Sequence, residues 1–142
     1  MKRTHTCGEL TAKHIGKKAT LVGWVHKRRD HGKLIFIDIR DRYGLTQAVF
    51  FKMEAAEELR SEYVIAIKGI VQKRPPGTEN PNIPTGEVEL GVEELEIINP
   101  SLTPPFELDN MNTVSEEVRL KYRYIDLRRH EAQKKLILRH RV

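Results

Sequence analysis

The 142-residue chain reads as all-β. The expected fold is a small five-stranded barrel with one helix between its third and fourth strands, followed by a hinge and a helical C-terminal segment. Three observations carry this. Residues 33–41 alternate, with Ile35, Ile37 and Ile39 on one face and Leu34, Phe36, Asp38 and Arg40 on the other, as the two-residue period of a strand requires. Similar stretches recur between short turns that carry Gly or Asp. Beyond residue 115 the apolar residues fall instead at helical spacing, as in the i,i+4 pairs Ala132/Leu136 and Leu138/Val142.

Taken in order, residues 1–17 are a polar lead in which Thr11 caps a short helical turn and Gly16 ends it. Residues 18–29 form a long first strand. Leu21, Val22, Trp24 and Val25 favour strand, and Gly23 predicts a bend or bulge that lets one strand serve two edges of a barrel. Asp30-His31-Gly32 supplies the turn into the second strand, and Arg42-Tyr43-Gly44 the next turn. The third strand covers residues 45–51, with Gln47 on the side of Leu45 and Val49. Residues 53–60 (MEAAEELR) hold good helix formers and no Gly or Pro, so a helix is expected there, with Ala56 and Leu59 toward the barrel.

The fourth strand is expected over residues 63–74, with Gly69 allowing a bend. Residues 75–86 contain four of the seven prolines and form a loop at the ligand-binding mouth. The fifth strand runs over residues 87–98. Val88, Leu90 and Val92 alternate, then Leu95 and Ile97 take the other parity, which places a bulge or bend near Glu93–Glu94. Residues 99–113 have linker character. Thr113 or Ser115 caps a following helix, and a second helix occupies residues 129–142 with an apolar stripe.

Composition narrows the function. Apolar residues make up 39% and charged residues 32%, an ordinary globular balance. One cysteine, Cys7, excludes an internal disulfide and fits a reducing compartment. No apolar run approaches the ~20 residues of a membrane span. The N-terminus lacks the apolar centre of a signal peptide, so a cytoplasmic location and no membrane partner are expected. The net charge of +5 is segregated: residues 1–40 carry ten Lys/Arg against three Asp/Glu, residues 41–118 six against fifteen, and residues 119–142 nine against two. Two basic blocks around an acidic middle suit a polyanionic partner.

The candidate binding surface is the outward face of the second strand. Phe36 projects among cations, with Lys27, Arg28 and Arg29 just upstream, His31 in the turn and Gln47 on the neighbouring strand. An outward aromatic flanked by cations is a stacking platform for an unpaired base. The structural alternatives are a small apolar cluster for Phe36 and a solvated strand end for Lys27–Arg29. No catalytic or metal constellation is visible. The six histidines are dispersed, no phosphate-cradling Gly-rich loop is present, and Glu57-Glu58 and Glu93-Glu94 diverge as sequence neighbours.

Residues 23–47, GWVHKRRDHGKLIFIDIRDRYGLTQ, resemble the N-terminal anticodon-binding domain of bacterial aspartyl-tRNA synthetases, which are class II ligases. RLKYRYIDLRR at residues 119–129 is similar to the segment that leads into their catalytic domain. The first motif alone is shared with asparaginyl- and lysyl-tRNA synthetases; the two together point to the aspartyl branch. The resemblance implies an OB-fold anticodon-binding domain over residues 1–98, a hinge over 99–128 and the start of a class II catalytic domain over 129–142. It implies an enzyme only as part of the full aspartate–tRNA ligase, with this stretch inactive alone. No cofactor is expected in this chain, ATP and Mg belonging to the catalytic domain, and homodimerisation is expected only of the full-length enzyme.

The implied partner is aspartate tRNA, with asparagine tRNA as a second one; His31 leans toward the relaxed kind. Carried over by position, Phe36 stacks on the central anticodon uridine, Gln47 hydrogen-bonds it, and Arg29 reaches the same base or its phosphate. Glu89 reads a flanking base. Two other classes compete: a free-standing OB-fold binder of single-stranded RNA or DNA, and a protein–protein adaptor on the same barrel. The cations around Phe36 weigh against the adaptor, and the apolar stripe running to Val142 weighs against the free-standing binder.

Overall fold

The computed structural model describes residues 1–109 and 114–142. They divide into two compact units, Met1–Leu102 and Thr103–Val142.

In the first unit, five strands among the described residues close a barrel in the order β1-β2-β3-β5-β4. They are β1 (Lys18–His31), β2 (Leu34–Arg40), β3 (Leu45–Phe51), β4 (Val64–Lys73) and β5 (Val88–Asn99). β1 serves two edges, as its length predicts: Lys18 to Trp24 pair with β4, and Trp24 to His31 pair with β2. β3 and β5 meet in parallel through Ala48–Leu90 and Val49–Gly91, which closes the barrel. The inward rows are those the alternation indicates. Leu21, Ile37, Ile39, Phe50, Ile65, Ile67 and Leu90 are fully buried, each contributing about 1.5–3 kcal/mol by leaving water.

Three local expectations need correction. Gly23 carries no bulge. An added Cβ there would collide with the Arg40 carbonyl, so close strand approach demands the glycine. The irregularity falls at His26, where the register shifts between Val25 and Lys27. The first turn is Gly32-Lys33 rather than Asp30-His31-Gly32. Gly32 sits at φ +71, His31 ends β1, and Asp30 Oδ1 accepts the Gly32 N–H at 3.0 Å. The element between β3 and β4 is a 3-10 helix of five residues, Glu54–Glu58, shorter than the sequence suggests. Ala56 and Leu59 nevertheless pack into the core. It ends at Leu59, whose backbone is extended (φ −64, ψ 132) and whose side chain is buried, since helix propensity is a weak prior against tertiary constraint.

Other expectations match. Thr11 precedes a 3-10 turn, Ala12–His14, and its N–H donates to His14 Nδ1 at 3.0 Å. The β4–β5 register slips between Lys68 and Gly69, leaving Glu93 as the extra residue on β5.

In the second unit, α1 (Glu116–Lys121) is capped by Ser115, whose Oγ accepts the Val118 N–H at 3.4 Å. Thr113, the alternative cap, lies outside the described residues. α2 (Arg123–Asp126) and α3 (His130–Arg141) follow. Asp126, 1% exposed, is satisfied by Arg123 Nη1 at 2.5 Å and Arg129 Nε at 2.7 Å. That is the condition under which a buried carboxylate stays tolerable. Leu136, Leu138 and Val142 are exposed on or beside α3.

Candidate nucleic-acid interface

Residues opposite one another in a ladder project to the same side of a sheet. Before the bulge, the odd-numbered residues Leu21 and Val25 of β1 point into the barrel. After it, odd-numbered residues point outward: Lys27 lies opposite Asp38, Arg29 opposite Phe36 and His31 opposite Leu34. The extra residue at His26 thus turns Lys27 and Arg29 onto the Phe36 face. It also separates them from Arg28, which lies opposite the buried Ile37 and pairs with Asp30 at 2.9 Å.

One polar row crosses the whole face. Asp38 of β2 lies opposite both Lys27 of β1 and Gln47 of β3, and Glu89 of β5 lies opposite Gln72 of β4. Hydrogen bonds join it end to end. Arg29 grips Asp38 through two bonds of 2.9 Å, a bidentate charge-assisted pair. Arg29 Nη2 also donates to Gln47 Oε1 at 3.2 Å. Gln47 Nε2 donates to Glu89 Oε2 at 2.7 Å, and Gln72 Nε2 donates to Glu89 Oε1 at 2.8 Å. Gln47 is 8% exposed and Glu89 3%. A carboxylate this deep needs such donors, because an unpaired buried charge is costly.

Arg74, at the end of β4, is buried beside the row and donates from Nε to the Val88 carbonyl at 3.1 Å. Burial lowers its pKa, Asp38 and Glu89 oppose that shift, and Arg29 adds to it. It remains a cation, as arginine does throughout the accessible pH range. The loop over residues 75–86 is pinned against the sheet, with the Thr85 hydroxyl donating to the Leu45 carbonyl.

The next row is apolar and aromatic. Phe36 lies between Arg29 and Val49, half-buried, and its ring meets the His31 ring at 5.4 Å and 90°. One rung further, Leu34 lies opposite Phe51, which is 60% exposed with Lys52 Nζ 5.2 Å from its ring centroid. Lys27, Lys33 and Lys52 are exposed around this surface. Aromatic faces, a fixed amide and peripheral cations are the parts of a surface that binds unpaired bases.

The family model for OB-fold nucleic acid binding domains of the tRNA anti-codon group matches residues 19–103. The chain belongs to this family. Two similar curated proteins are the aspartate–tRNA(Asp/Asn) ligases of Moorella thermoacetica and Thermodesulfovibrio yellowstonii. The first is 54% identical over 99% of this chain and 24% of its own length; the second is 57% identical over 100% and 25%. The chain therefore spans about a quarter of the length of the curated relatives it matches. Among solved structures, the asparaginyl-tRNA synthetase of Pyrococcus horikoshii superposes with a TM-score of 0.75. It is 33% identical over 89% of this chain and 30% of that one. The aspartyl-tRNA synthetase of Entamoeba histolytica gives 0.80 at 20% identity, over 92% of this chain and 33% of that one, a likeness of fold alone.

In this OB-fold domain, Phe36, Gln47, Arg29 and Lys27 share one face with His31 at its edge, while Arg28 does not join them. His31 is a strand residue against Phe36, not a turn residue. Glu89 is not an exposed strand acid; both its oxygens already accept amide hydrogens from neighbours. Sequence reasoning missed Asp38, Gln72 and Arg74. For Gln72 the available signal was its position in a strand next to another carrying outward carboxylates, and only the pairing of β4 with β5 makes that a contact. Among the described residues no cluster of three or more His, Cys, Asp or Glu is placed to hold a metal ion, and no helix is long and apolar enough to cross a membrane.

Proposed function

We propose that this domain recognises the anticodon of aspartate tRNA as part of an aspartate–tRNA ligase, with asparagine tRNA as a second partner. The observation that carries the reading is the Phe36 ring beside a Gln47 amide held between Arg29 and Glu89. Phe36 supplies a stacking face for the central anticodon base. Gln47 offers one donor and one acceptor to the edge of a uridine, and Arg29 lies next to both. Lys27 and His31 border the same platform and suit the adjoining backbone, whereas Arg28 has the weakest claim because it lies on the opposite side of β1.

The relatives are aspartate–tRNA(Asp/Asn) ligases, which supports the wider partner range. In this proposal ligation, with its ATP and Mg, and dimerisation belong to a catalytic domain beyond the residues described, and the compartment is the cytoplasm, where tRNA is charged.

The test is a titration of the 142-residue chain against RNA stem-loops that carry the aspartate anticodon or single-base variants of it. Preference for uridine at the central position is expected. Equal binding of all loops would favour instead a generic single-strand binder.

A further inference from the structure

The Gln47 amide is flanked by two groups that cannot exchange roles. An ionised carboxylate only accepts hydrogen bonds and a guanidinium only donates them. Glu89 Oε2 lies 2.7 Å from Gln47 Nε2, and Arg29 Nη2 lies 3.2 Å from Gln47 Oε1. Rotating the amide by half a turn would set its oxygen against the carboxylate and its NH2 against the guanidinium. Both bonds would become repulsions. The orientation is thus dictated by charge and is not a matter of assigning oxygen and nitrogen.

Each bracket is itself held. Asp38 fixes Arg29 with two bonds of 2.9 Å, and Gln72 Nε2 fixes the second oxygen of Glu89 at 2.8 Å. The amide is left with one N–H and one oxygen lone pair for a ligand.

This matters because uracil and cytosine differ by the same half-turn. Uracil presents an imino N–H beside a carbonyl oxygen. Cytosine places a bare ring nitrogen and an amino group at those positions. An amide free to flip would serve either base equally; a locked one serves only the first. Guanine shares uracil's pattern and adenine shares cytosine's.

We propose that Gln72 and Glu89 are positioning residues that set base specificity: by locking the Gln47 amide they restrict the site to bases that present an imino N–H beside a carbonyl. Glu89 touches no base in this account. Gln72, exposed on β4, keeps the Glu89 carboxylate aimed at Gln47. The proposal rests on the reading that Gln47 contacts the central anticodon base.

The experiment measures the ratio of affinities of the 142-residue chain for two RNA stem-loops, uridine or cytidine at the central anticodon position, at one salt concentration. Glu89→Gln, which removes one of the two charges that orient the amide, is expected to lower the ratio about ten-fold with cytidine binding improving; Gln72→Leu, which keeps both charges and frees only the aim of the carboxylate, is expected to lower it about three-fold. Gln72→Lys, which keeps a donor for Glu89, is expected to retain the wild-type ratio. Gln72 is exposed, so its variants fold even if Glu89→Gln does not, and circular dichroism checks each. A ratio unchanged or raised in Gln72→Leu, with both affinities falling together, overturns the positioning role. Gln47→Ala distinguishes the two levels: if it abolishes the ratio while Gln72→Leu does not, only the positioning role fails. If Gln47→Ala also leaves the ratio intact, the underlying reading of Gln47 fails with it.

Discussion

Removing the aromatic face of Phe36 while keeping its packing separates stacking from structure. Phe36 is half-buried, between Arg29 on β1 and Val49 on β3. Leucine at this site preserves most of the apolar contact with Val49 and loses only the π-face, so the barrel should lose no more than about 1 kcal/mol of stability. Alanine removes both. Its stability cost should stay below the ~3–5 kcal/mol of a fully buried Phe→Ala change, because part of the ring is already in water. Base stacking on an aromatic is worth about 1–3 kcal/mol, which is roughly five- to 150-fold in affinity. Both variants should therefore weaken binding by that range. Stacking tolerates any base, so loops with uridine and with cytidine should lose by the same factor. The assay is fluorescence anisotropy with labelled stem-loops at one salt concentration, with thermal melts to confirm folding. Phe36→Leu binding like wild type would make Phe36 a packing residue and place the site elsewhere. A loss confined to the uridine loop would assign base identity, not affinity, to the ring.

Four further outcomes are expected. RNA binding should fall steeply with salt, since three phosphate contacts imply roughly twenty-fold between 50 and 200 mM, and a flat response would show that the basic blocks do not touch the backbone. Aspartate-dependent ATP–pyrophosphate exchange should be absent from the purified chain; detectable exchange would refute the view of these residues as a recognition module. Arg40→Ala should destabilise the barrel by about 1–3 kcal/mol in urea titration, because it removes the bidentate 2.9 and 3.0 Å hydrogen bonds to Glu62, and a loss under about 0.5 kcal/mol would mean the pair is dispensable. Burial, reinforced by Asp41, raises the Cys7 thiol far above its ordinary pKa. The stability that goes with the neutral thiol is therefore complete below the unfolded-state value near ~8.5 and declines by about 1.4 kcal/mol per pH unit above it. Cys7→Ala should remove that slope between pH 9 and 10, and equal slopes in the two proteins would contradict it.

The local pattern of residues was enough to place the strands and to say which side chains face the core. Ile35, Ile37 and Ile39 are buried and Phe36 is outward because a two-residue period needs no knowledge of neighbours. The parity slip on β5 was legible for the same reason, and the extra residue is Glu93. What depends on pairing was not legible. Lys27, Arg28 and Arg29 form one basic run in sequence, yet the bulge at His26 puts the first and third on the platform and turns the second away. Nothing in residues 24–29 alone says where a ladder will admit an extra residue, since that is settled by the partner strand. The chain from Arg29 through Asp38, Gln47 and Glu89 to Gln72 spans five strands and more than forty positions, so its members become neighbours only when the barrel closes. Sequence by itself determined which residues would face outward; the tertiary structure decided which of them would hold one another, because register is a long-range property and side-chain alternation is a short-range one.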